Sequence, residues 1–99
     1  DDRLQMVGFK PVNPSDLLLA GSHLLGLRDK ATTENDQGWI SSCIYSPILG
    51  HYLGIGFIKG GHNRKGENVR AVDLVRGNDV EVEICSPHFV DPEGERLRV

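Results

Sequence analysis

Residues 38–58 read GWISSCIYSPILGHYLGIGFI, and their pattern decides the fold. From Tyr52 onward the side chains alternate, with Leu53, Ile55 and Phe57 on one face and Tyr52, Gly54 and Gly56 on the other. That is the period of two expected of a half-buried strand. Gly54 and Gly56 leave their face bare, and glycine inside a strand marks either a close approach to the backbone or a barrel corner that needs room. The corner is the expected case. Upstream, residues 39–45 are β-branched, aromatic or small. Ser46-Pro47 and Gly50 then supply the turn that separates two core strands.

The rest of the chain extends this pattern. Residues 4–9 predict a first strand, with Val7 and Phe9 opposite Leu4 and Met6, and Pro11 stops it. Residues 13–21 carry Asn13, Pro14, Asp16 and a closing Gly21, the signals of a helix of two turns at most. So short a helix is not stable without packing, so a loop turning at Asn13-Pro14 competes with it. Residues 23–27 predict a short strand, residues 28–37 a solvated loop, and residues 59–66 a polar, glycine-rich connection. A hairpin follows, its arms at residues 67–75 and 80–86 flanking Arg76-Gly77-Asn78-Asp79. Its second arm sets Val80, Val82 and Ile84 against Glu81, Glu83 and Cys85. The first arm breaks alternation at Val72, which implies a bulge or a strand covered on both faces. The sum is an all-β fold: a small antiparallel, Greek-key-like barrel of six or seven short strands with at most one short helix.

Composition narrows the function. With 99 residues the chain is one domain, and its net charge of −3 offers no basic footprint for nucleic acid. No apolar run is long enough for a membrane helix, and Asp1-Asp2-Arg3 does not open a signal peptide. Cys43 and Cys85 make no disulfide framework and are expected to be buried thiols, which suits a reducing, cytoplasmic setting. A chain that opens on Asp1 is expected to be a piece of a longer polypeptide. His23, His51, His62 and His88 have no metal-ligand spacing. Residues 61–66 fail as a phosphate loop because Glu67 stands where a lysine is required. Gly54-Ile55-Gly56 is a fragment of a dinucleotide fingerprint, and no serine sits in a Gly-x-Ser-x-Gly elbow. Glu81 and Glu83 share a solvated face rather than an acid–base site.

Three stretches, however, carry a resemblance: Arg3-Leu4 with Val7-Gly8; Gly38-Trp39-Ile40-Ser41-Ser42 with Ser46-Pro47-Ile48-Leu49-Gly50; and the ending from Ser86-Pro87 through Phe89-Val90-Asp91-Pro92-Glu93-Gly94-Glu95-Arg96-Leu97. In this order and spacing they resemble the C-terminal β-barrel domain of the aminomethyltransferase (glycine-cleavage T-protein) family. Within it, the tail is most similar to the α subunit of heterotetrameric sarcosine oxidase. The resemblance implies that a larger domain of the same chain holds tetrahydrofolate, with this barrel closing part of the site. There the imine from oxidative demethylation of sarcosine becomes 5,10-methylenetetrahydrofolate. It also implies other oxidase subunits as partners, and FAD, FMN and NAD elsewhere in the complex. Carried over by position, the folate-side residues are Phe89, Asp91, Tyr45 and Ser42, with Asp91 standing where the family often has a base. For Trp39, Ser42 and Tyr45 the residues themselves predict core packing. The alternatives are a stand-alone protein-interaction barrel, or the barrel of a T-protein or dimethylglycine dehydrogenase.

Overall fold

Alternation in the first segment turns Val7 and Phe9 inward, both fully buried, and leaves Leu4 and Met6 outside. The same rule repeated along the chain builds a wall one strand at a time. In the computed structural model, which describes residues 3–87, six strands form: β1 (Leu4–Pro11), β2 (His23–Leu25), β3 (Gly38–Ser46), β4 (His51–Lys59), β5 (Asn68–Asp73) and β6 (Asn78–Cys85). They close into a barrel in the order β1-β4-β3-β2-β5-β6, every neighbouring pair antiparallel. β6 returns to β1 through the pairs Gly8↔Cys85 to Pro11↔Val82. The run β2-β3-β4, with β1 brought back beside β4, is a Greek key. Val7, Phe9, Leu18, Leu24, Ile40, Ile58, Val69, Ala71, Val82 and Ile84 fill the interior.

The glycines of β4 lie on the inner face, and each answers one of the two expectations. A Cβ on Gly54 would meet Leu18 Cδ2 at 3.0 Å and Ile40 Cγ2 at 3.3 Å, so a neighbouring segment does lie over it. A Cβ on Gly56 would meet the Trp39 carbonyl oxygen at 2.2 Å. Gly56 is therefore the corner, where β3 and β4 come too close for any side chain. The register of β3 slips between Ile40 and Ser42, which is where the bulge of this sheet lies.

Residues 13–21 form no helix. Asn13 Oδ1 accepts from the Ser15 backbone N–H at 3.1 Å, and Asp16 N–H donates to the Asn13 carbonyl at 3.0 Å, which makes the turn at Asn13-Pro14. The chain then runs extended so that Leu18 seats in the barrel, 1% exposed. Burying that one side chain outweighs the few hydrogen bonds of a two-turn helix. Single 3-10 turns occur at Thr33–Asn35 and Gly61–Asn63. β2 ends at Leu25, short of the expected Leu27. β5 keeps register with both neighbours, so its broken alternation is not a bulge. The 28–37 loop covers its outer side: Arg70 donates to the Asp29 carbonyl at 2.6 Å, and Val72 faces Thr32 and Thr33 across a cleft.

Candidate functional site

Two features of the described surface have the make-up of a site. The first is the far half of the β3–β4 hairpin. β1 pairs with β4 only as far as Phe9↔Gly54, and β2 pairs with β3 only at Gly38 and Trp39. Beyond those points, among the described residues, β3 and β4 pair with each other alone, from Cys43↔Gly54 to Ser46↔His51. The result is a two-stranded arm. Such a ribbon is marginal by itself, and Tyr45 and Tyr52 brace it edge to face, ring centroids 5.2 Å apart.

The predicted residues Ser42 and Tyr45 both lie on this arm and both are exposed. They are three residues apart beyond the bulge and therefore on opposite faces, with Ser42 opposite Ile55 and Tyr45 opposite Tyr52. A flat ligand on one face meets one of them. Core packing fails for Trp39, Ser42 and Tyr45 alike. Trp39 is flanked by fully buried Ile40 and so points outward, where its ring lies 5.4 Å from that of Phe57. Phe89 and Asp91, the other two predicted residues, lie outside the described residues, as does His88.

The second feature was not foreseen. His23 on β2 holds Asp36 of the 28–37 loop, Nδ1 to Oδ2, at 2.7 Å. The other Asp36 oxygen accepts from the Gly38 N–H at 3.1 Å, which fixes the carboxylate where β3 begins. The pair stands at a cleft of about 200 Å³ lined by Leu25, Ala31, Thr32, Thr33, Val72 and Leu74. A neighbouring cleft shares His23 and Leu74 and reaches Asp73 and Arg76. Arg76 clamps the latter side: its backbone N–H and guanidinium both donate to Asp73, and the guanidinium also reaches the Ala20 carbonyl at 2.8 Å. Those contacts, the backbone N–H foremost, hold the Asp73 carboxyl below its ordinary range. A carboxylate-held imidazole orients one ring nitrogen and leaves the other to a ligand. The polarity of the 28–37 loop was visible in the sequence; its return onto β2 was not.

The thiols are built for inertness. Burial is the main cause that pushes Cys43 and Cys85 up to about 11, the reverse of what a nucleophilic cysteine requires. Among the described residues, no three His, Cys, Asp or Glu side chains gather to hold a metal, and no helix is long and apolar enough to cross a membrane.

Comparison with known proteins agrees with the geometry. The model of the glycine cleavage T-protein C-terminal barrel domain matches residues 5–91. The chain is 39% identical over 98 residues to the sarcosine oxidase subunit alpha of Rhizobium meliloti (strain 1021), covering 99% of this chain and 10% of that protein. It is 34% identical over 99 residues to the subunit alpha of Corynebacterium sp. (strain U-96), again about a tenth of the relative's length. Among solved structures, the glycine cleavage system aminomethyltransferase T from Bartonella henselae superposes with a TM-score of 0.63 over 89% of this chain and 22% of its own, at 21% identity, a likeness of fold. The chain belongs to the family of the glycine cleavage T-protein C-terminal barrel domain.

Proposed function

We propose that this chain is the C-terminal barrel of a sarcosine oxidase α-like polypeptide and forms part of the wall of its tetrahydrofolate site. There the imine produced by oxidative demethylation of sarcosine is captured as 5,10-methylenetetrahydrofolate. The observation that carries this reading is the 39% identity to a sarcosine oxidase subunit alpha along almost the entire chain. The larger folate-binding domain of the same polypeptide and the other oxidase subunits are its partners. FAD, FMN and NAD belong to those other parts, and the complex works in the cytoplasm.

The described residues suit a wall rather than a reaction centre. Tyr45 offers a braced, half-exposed aromatic face on which a flat pterin or benzoyl ring can lie, and Ser42 offers a hydroxyl on the other face of the arm. Phe89 and Asp91 complete the proposed contact set from the tail. On this reading the barrel orients folate and excludes water while catalysis belongs to the larger part.

The test is product analysis on the native oxidase with sarcosine, with and without tetrahydrofolate. The expected product with folate is 5,10-methylenetetrahydrofolate, and Tyr45→Ala should raise the KM for folate while sarcosine oxidation in its absence is unchanged. Release of free formaldehyde at the same yield in both conditions would refute the reading.

A further inference from the structure

The surface of the barrel is divided by charge. Residues 38–58 contain no Asp, Glu, Lys or Arg, in a chain where one residue in four is charged. Elsewhere the outer wall carries ion pairs: Lys10 with Glu83 at 3.8 Å, Arg70 with Asp79 at 3.0 Å, and Arg64 with Glu67. The uncharged run also exposes apolar side chains. Trp39, Ile44, Tyr45, Ile48 and Leu49 are all exposed, Ile44 and Tyr45 on opposite faces of the arm, and Ile48 has 74% of its surface open. Depletion of charge together with exposed aromatic and aliphatic side chains is the signature of an interface core.

The topology adds an independent observation. Beyond Gly54 no other strand among the described residues pairs with the arm, so both its edges offer unpaired backbone groups. Proteins guard such edges with charge, proline or a covering element. Here Pro47 sits only at the tip, and neither edge carries a charge.

We propose that the uncharged β3–β4 arm is a docking seam for the part of the same polypeptide that precedes this barrel. This rests on the functional reading above. The matched relatives are about ten times as long as this chain, and the matching domain is a C-terminal one, so a far larger surface precedes it on the same thread. A partner tethered in this way is present at an effective concentration near millimolar. The charged half, formed by β5, β6 and the end of β1, then faces water.

The experiment is photochemical carbene labelling, read by mass spectrometry, of the polypeptide encoded by the native gene and of the 99-residue chain alone. Leu74 is the internal control, because it is 73% exposed, matching Ile48, and stands just after β5 rather than on the arm. In the chain alone the two should label equally. In the full polypeptide Ile48 should label roughly tenfold less than Leu74, as befits the dry core of an interface. Equal labelling in both samples would overturn the proposal. So would protection of Ile48 already in the chain alone: independent of concentration, it would name the chain's own tail as the cover, and rising with concentration, a second copy. A reading frame that encodes nothing before these residues would also overturn it. No turnover is measured, so protected Ile48 in a protein that makes no methylenetetrahydrofolate would sustain the seam and sink the functional reading.

Discussion

Replacing Gly56 by alanine adds one methyl group, and conformational propensity alone favours it by about 0.5–1 kcal/mol, because glycine loses the most backbone freedom on folding. The barrel geometry predicts the opposite. The new Cβ would lie 2.2 Å from the Trp39 carbonyl oxygen and 2.8 Å from Ile40 Cα, backbone atoms that have no rotamer by which to retreat. Reaching an ordinary 3.4 Å contact requires β3 and β4 to part by about 1.2 Å. A ladder hydrogen bond near 2.9 Å would then stretch to about 4 Å and be lost. One or two such bonds, plus displacement of the fully buried Ile40, amount to a net loss of about 3–4 kcal/mol. That is a large share of the ~5–15 kcal/mol by which a domain is stable. Gly54→Ala is the control. Its Cβ meets the movable ends of Leu18 at 3.0 Å and Ile40 at 3.3 Å, so the cost should stay within about 1 kcal/mol. Urea unfolding followed by circular dichroism measures both. Equal stabilities, or a larger loss for Gly54→Ala, would refute the account of the β4 glycines.

Leu18→Ala, which removes the plug from the barrel, should cost about 2–5 kcal/mol in the same urea assay; a loss under about 1 kcal/mol would mean that the loop seats without it. Thiol ionisation followed at 240 nm should have its midpoint near 11 for both cysteines rather than at the ordinary 9.0. Because folding keeps these thiols protonated, stability should fall as pH rises from 9 towards 11, and Cys43→Ala with Cys85→Ala should flatten that fall; an unchanged slope in the double variant would contradict it. Asp73 and Glu67 titrate in the other direction, their folded values being lowered by Arg76 and Arg64 contacts. Their contribution is complete above the ordinary carboxylate range and is lost as pH drops below it, so Arg76→Met should shrink the difference in melting temperature between pH 6 and pH 3, as read by calorimetry.

The barrel was legible because its strands obey a period of two wherever one face is wet. Val7 and Phe9, or Val80, Val82 and Ile84, announce their own side of the wall. What was hidden depended on contacts distant in sequence. The capping signals of residues 13–21 are local and read as helix, but Leu18 is claimed by a core built from residues 7 to 84. Trp39 and Tyr45 look like core residues by type, but Trp39 stands outside beside inward-facing Ile40, and Tyr45 is exposed because β3 runs on past the short β2. The charge-free run of residues 38–58 could have been counted from the sequence. Its meaning required knowing that the run forms an unsupported arm. The His23–Asp36 pair depends on a loop whose path no periodicity encodes.

The ring of strands is sealed by its last member, since β6 is the strand that lies against β1. During synthesis β1 therefore emerges with one flank permanently vacant until residues 82–85 have left the ribosome. For that interval a strand bearing Val7 and Phe9 waits beside whatever else is nascent nearby. The order of synthesis thus makes the final hairpin a latch, and a chain interrupted before Val82 is expected to accumulate as aggregate rather than as a smaller folded piece.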